Sequence, residues 1–216
     1  MITTLAVVAG LLQALGYAVY FFKSVRHETE PNPTTWLMFA YGTGLLTILE
    51  WDRDATPALL ILPIVCATLS VGVAILCKMR GTLKWPIDRY SRTALLTDVS
   101  LTVGYVFVAL ASFTPFVTDE QRTVLALAFL VLTNMSTTVS FVPMLKDTWK
   151  DPTSEHPLAW SIWTIAYSTL GVVTFLEKGA WSELMIYPVS CALLHGLVGL
   201  FALRAFLRPC HALRPR

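Results

Sequence analysis

The stretch Ile61-Leu62-Pro63-Ile64-Val65-Cys66-Ala67-Thr68-Leu69 is echoed by Ile186-Tyr187-Pro188-Val189-Ser190-Cys191-Ala192-Leu193-Leu194. Six of the nine positions are identical or exchange Ile for Val. Upstream, at nearly the same offset, Pro33, Trp36 and Leu46 fall on Pro157, Trp160 and Leu170, and Tyr17 falls on Phe141. Apolar helices resemble one another by composition alone. Matched Pro, Cys and Trp at a near-constant spacing point instead to a duplicated unit.

The material between these echoes is apolar. Charged side chains make up 14% of the 216 residues and apolar ones 55%, and the mean hydropathy is +0.62. A soluble domain carries about 25% charged residues, so this chain lacks the charge to cover a water-facing surface. A net charge of +2 with no basic stripe argues against a nucleic-acid partner. Four cysteines do not make a disulfide framework. A span needs about 20 apolar residues, and seven such segments can be drawn: 2–22, 34–49, 57–77, 93–113, 122–145, 158–176 and 184–205. The first has no charged start and no clear cleavage site, so a retained span is expected. The expectation is an all-α integral membrane protein with no separate soluble domain.

Loop charge sets the expected orientation. Thirteen of the sixteen Lys and Arg fall in the first, third and fifth loops and the C-terminal tail; the rest are Arg53, Arg122 and Lys178. The positive-inside rule then puts the N-terminus outside and the tail in the cytoplasm, in a plasma or inner membrane. The even loops also hold Glu50, Asp52, Asp54, Asp119, Glu120, Glu177 and Glu183. Two three-helix units joined directly would face opposite ways, and one added span restores the orientation. The expected organisation is a first repeat over 1–80, a linker with the fourth helix over 81–121, a second parallel repeat over 122–207 and a tail over 208–216. Parallel repeats about an axis along the membrane normal are a transporter arrangement, with the site at their interface.

This 3+1+3 layout resembles the SWEET sugar transporters and the wider PQ-loop superfamily. Pro143, a polar loop with Ser154, then Trp160, Gly171 and Gly179 follow an order similar to that family's proline-led first and second helices. No Pro-Gln pair occurs, however, and Pro143 is followed by Met144. The resemblance implies the fold and leaves the solute open.

Polar side chains within a span are costly and face the bundle interior. In the fifth span Thr133, Asn134, Ser136, Thr137, Thr138 and Ser140 form a concentrated patch, set against Gly10, Gln13, Tyr17 and Tyr20 in the first. Pro63, Cys66 and Ser70 are matched by Pro188, Cys191 and His195. Mid-span prolines free a carbonyl and can kink the helix, so Pro63, Pro188 and Pro143 are candidate hinges. His195 and Ser70 are expected to meet across the axis. In SWEETs the corresponding region holds paired polar residues that contact sugar, and this resemblance makes them the leading binding pair. Each also has a plainer reading, as a hydrogen bond between helices or a small residue for close packing. Trp36 and Trp160 fit either an interfacial aromatic belt or, with Trp163, Thr164, Tyr167 and Gly171, an aromatic wall of a binding site. Tyr41, Thr43 and Thr47 are the less regular counterparts in the first unit. Asp98 is the one carboxylate clearly inside a span, a candidate for proton coupling.

No lysine lies within a span to carry a retinal, and His195 is the only histidine that does, so a pigment, a zinc hydrolase or any cofactor is not expected. The leading expectation is a facilitator or uniporter for a small neutral or weakly ionised polar solute, such as a sugar or amino-acid-like compound. It would work by alternating access, with lipid around it and a homo-oligomer left open. The alternatives are a receptor or assembly factor of the same fold, using the basic third loop at 78–92, and an intramembrane enzyme acting on lipid.

Overall fold

The computed structural model describes residues 1–29, 31–80, 89–112 and 117–207. Most of the third loop and all of the tail at 208–216, with Cys210 and His211, lie outside the described residues. Seven helices follow in order: α1 (Ile2–Val25), α2 (Pro33–Asp52), α3 (Pro57–Met79), α4 (Arg89–Ala111), α5 (Asp119–Lys150), α6 (Pro157–Lys178) and α7 (Ile186–Leu207). A 3-10 turn, Glu183–Met185, leads into α7.

Local chemistry sets the helix limits. Pro33, Pro57 and Pro157 open α2, α3 and α6, where the missing N–H costs no intrahelical bond. The Asn32 side chain caps α2 by accepting from the Thr35 N–H. A reciprocal pair, Thr118 Oγ1 accepting from the Gln121 N–H and Gln121 Oε1 accepting from the Thr118 N–H, caps α5. Gly179, with φ +86°, ends α6 in backbone space that side chains disfavour. The α5 cap helps to lengthen that helix beyond the expected 122–145. At 32 residues it spans about 48 Å, more than the ~30 Å apolar core of a bilayer.

Six of the helices are long and apolar enough to cross a membrane, and the chain is a membrane protein whose described residues form helices and their connections, with no strand among them. The exception is α2. It packs on α3, α4 and α5, and half its residues are buried, Thr35, Trp36, Gly42, Thr43 and Glu50 among them. A helix enclosed by neighbours can carry such residues without presenting them to lipid.

The packing forms a closed ring. Going round it, α1 meets α6, α6 meets α7, α7 meets α5, α5 meets α2, α2 meets α3, and α3 returns to α1. Outside the ring, α4 rests on α5 and α2. Apolar side chains such as Leu11, Ile64, Phe107, Met135, Ile165 and Leu193 point outward. Where α1 crosses α6, a Cβ on Gly16 would lie 2.3 Å from the Trp163 indole nitrogen, so only glycine lets the two helices come this close.

Two ends of the ring can be distinguished by their loops. The odd-loop end carries the α1–α2 and α5–α6 connections, and the even-loop end carries the α2–α3 and α6–α7 connections. Pro63 and Pro143 lie inside helices. Pro188 differs from its expected mid-span place: it sits in the opening turn of α7, just after the 3-10 turn. There it interrupts no α-helical bond, so the hinge expectation rests on Pro63 and Pro143 alone.

Candidate functional site

Every helix of the ring contributes to one central cavity. Its wall includes Tyr17 from α1, Trp36 and Thr43 from α2, Cys66 from α3, Thr137 and Phe141 from α5, Trp163 and Tyr167 from α6, and Cys191 and His195 from α7. The cavity is tight, about 10 Å³, roughly the space one water needs.

Aromatic rings fill most of the interior. Ring centroids stand 4.8 Å apart for Tyr20–Trp36, 5.0 Å for Tyr17–Trp163, 5.0 Å for Trp160–Trp163 and 4.5 Å for Phe39–Phe141. Trp36 and Trp160 are no more than 1% exposed. Both are packed inside the bundle and not in an interfacial belt, and Trp36 lines the cavity.

The polar groups are held by short bonds across helices. Tyr17 shares a 2.6 Å hydrogen bond with Ser70 and donates to the Cys66 carbonyl at 3.2 Å. The Tyr167 hydroxyl contacts Cys66 Sγ at 3.3 Å and Tyr187 at 3.0 Å. His195 Nδ1 donates to the Cys191 carbonyl at 2.7 Å, since a carbonyl can only accept. That bond fixes the tautomer and leaves Nε2 as the free acceptor of the ring. The His195 ring lies 4.7 Å from that of Tyr167.

Of the expected binding residues, Trp36, Thr137, Tyr167 and His195 line the cavity. Ser70, Gln13, Asn134 and Trp160 are buried beside it but are not among its lining residues. The expected meeting of Ser70 with His195 is not found among the described contacts. Tyr17 takes the Ser70 hydroxyl, and Cys66 and Tyr167 stand on the way to His195. Gln13 reaches the Tyr167 hydroxyl at 3.5 Å, and its main-chain carbonyl accepts from Trp163 Nε1. Asn134 bonds to its own helix at Leu130. Asp98 lies outside the ring, against Gly42 of α2.

At the odd-loop end a cavity of about 740 Å³ opens, lined by His27, Asn32, Arg80, Asp147, Ser154 and Glu155 among others. Glu155 was not singled out by the sequence, because it sits in a short polar loop with no periodicity. It is 4% exposed and accepts from Trp160 Nε1 at 2.9 Å and the Tyr20 hydroxyl at 3.1 Å, with the Thr29 hydroxyl, which donates to the Ser154 carbonyl at 2.8 Å, shared at 3.3 Å. Trp36 Nε1 in turn donates to Tyr20 at 3.2 Å. The two matched tryptophans are thus joined through Tyr20 and one carboxylate, which lines the open cavity while Trp36 lines the central one. Burial raises the Glu155 carboxyl to about 8, against the three donors, which favour its charged form.

The even-loop end is tied by ion pairs. Arg53 binds Glu183, with one bond at 3.0 Å, and donates to the Thr123 carbonyl at 3.3 Å. Arg122 pairs with Asp52, and Lys178 donates to the Asp54 carbonyl at 2.8 Å. All three cations of the even loops are therefore spent on joining one loop to another.

Comparison of the chain with family models, curated proteins and solved structures finds no match. The class of protein that the fold itself defines is a helical membrane protein with an enclosed polar–aromatic cavity.

Proposed function

We propose that the chain is a transporter that moves a small neutral or weakly ionised polar solute by alternating access, in the manner of the SWEET and PQ-loop proteins it resembles. The observation that carries this reading is the pairing of the ring helices. In one half α3 packs on both α1 and α2, and in the other α7 packs on both α5 and α6. The halves meet through α1 with α6 and α2 with α5, which exchange under a two-fold axis. This pattern supports two parallel three-helix units, 1–80 and 122–207, with the fourth helix as linker. A cavity lined by both units is where such a machine holds its solute.

The aromatic wall suits the apolar faces of a sugar or an amino-acid-like compound. His195, Tyr167, Thr137 and Thr43 supply hydrogen bonds without fixed charge. The conformation is occluded: the central cavity must widen, by the two units rocking apart, before a solute fits. With the N-terminus outside, as loop charge indicates, the Glu155 vestibule faces the cytoplasm.

The test is flux into proteoliposomes, with a panel of labelled sugars and amino acids. A saturable, protein-dependent flux is expected, falling at least tenfold in His195→Ala and less in Ser70→Ala, which acts through Tyr17. Unchanged flux in both variants would remove the cavity from the path. The vestibule also favours a second reading, a receptor that binds at that end without transport. It predicts solute binding to purified protein with no flux for any member of the panel.

A further inference from the structure

Behind the α2 wall of the ring lies a second group of polar atoms. Asp98 of α4 is 1% exposed, and none of the ion pairs among the described residues includes it. Its Oδ1 has no hydrogen-bond partner, and its Oδ2 lies 3.2 Å from the point where a Cβ on Gly42 would stand. Thr137 Oγ1 lies 3.4 Å from that same point and also has no partner. One turn away on the same face of α5, Thr133 Oγ1 is buried and unpartnered too, as is Asn134 Oδ1. Ser136 stands beside them, donating to the Ala94 carbonyl of α4.

Thr133 and Thr137 differ from eight other helical threonines, as the buried Thr35 near the start of α2 also does. Thr47, Thr68, Thr102, Thr138, Thr148, Thr164, Thr169 and Thr174 each donate to the carbonyl four residues earlier. That is the ordinary way for a helical hydroxyl to be satisfied. Thr133 and Thr137 forgo it, and they do so at the junction that holds the one carboxylate buried in α4. An ionised carboxylate without a counter-charge is expensive at membrane depth.

We propose that Asp98 and Thr137, around the cradle left by Gly42, form with Thr133 one turn along α5 a sodium-ion site between α2, α4 and α5. Sodium is a hard cation that takes oxygen donors, and one carboxylate with neutral hydroxyls suits a single positive charge better than a divalent ion. A proton would need one acceptor and would leave both turned-out hydroxyls unexplained. Thr137 also lines the central cavity, so a bound ion would brace the cavity wall. The site does not depend on the chain moving a solute.

The test is the thermal midpoint of the purified full-length protein in detergent, with NaCl replaced by choline chloride at constant ionic strength. Sodium is expected to raise the midpoint saturably, by roughly 3–6 °C at ten times its dissociation constant. KCl should give a smaller rise. Asp98→Asn should abolish the sodium effect, and Thr137→Val should move it to at least tenfold higher concentration. If Asp98→Asn does not fold, the Thr133→Val and Thr137→Val variants carry the same test. Equal midpoints in sodium and choline would overturn the site. So would a sodium effect that survives Asp98→Asn, or one lost in wild type but replaced by a pH effect that Asp98→Asn removes.

Discussion

At the even-loop end of the ring, Arg53, Arg122 and Lys178 join the loops to one another through partly exposed ion pairs and a backbone carbonyl. At the odd-loop end one buried carboxylate, Glu155, gathers Tyr20, Thr29 and Trp160, with Trp36 behind them. The first kind of closure is cheap to break, since water and salt replace exposed charge pairs at little cost. The second is costly, because opening it strands buried donors. The difference gives the two ends separate sensitivities: the even-loop end to ionic strength, the odd-loop end to proton concentration.

The largest effect is expected at Glu155. Replacing it by Ala leaves the buried Tyr20 hydroxyl and Trp160 Nε1–H without this acceptor, while Thr29 keeps the Ser154 carbonyl, and should destabilise the protein by about 2 kcal/mol or more, read from denaturant or thermal unfolding in detergent. Glu155→Gln keeps an acceptor oxygen and should cost much less. If Glu155→Ala proves as mild as a surface change, the two ends do not differ in the way described.

The pH dependence comes next. The Glu155 carboxyl sits near 8 in the folded protein against an ordinary 4.5, burial being the cause. Between those values the folded state holds a proton that the unfolded chain releases. Its contribution is therefore fully present below about 4.5 and is lost as pH rises through about 8. The wild type should lose stability over that window relative to Glu155→Gln, measured as the difference of the two melting curves. A difference that stays flat from acid to alkaline pH contradicts the assignment.

The smallest effect is at the other end. Glu183→Gln should cost within about 1 kcal/mol, and the loss should shrink in high salt. A loss as large as that of Glu155→Ala would erase the contrast.

Much of the fold was legible because its causes are local. Opening prolines and apolar runs mark the helices, and the Pro, Cys and Trp echoes mark corresponding positions in the ring. The cavity was legible in part: Trp36, Thr137, Tyr167 and His195 stood out as polar or aromatic residues in apolar helices. What a side chain reaches for was not legible. Glu155 and Tyr20 are 135 residues apart in the chain, and nothing in a six-residue polar loop announces a partner at that distance. Ser70 and His195 occupy matching positions, but the large hydroxyl-bearing side chain of Tyr17 reaches Ser70 first. Pro188 matches Pro63 in sequence while α7 begins only two residues before it, so the same residue lies inside one helix and in the opening turn of the other.

The central claim is that the ring opens at each end in turn. It is tested by placing cysteines at 53 and 183 and bridging them with a short, reducible bifunctional thiol reagent in proteoliposomes. The wild type, with its native thiols, is treated in parallel. Locking the even-loop end should reduce flux to the level of protein-free vesicles, and a reductant should restore it while the treated wild type stays active. Flux that continues undiminished through the bridged protein would contradict alternating access by this ring.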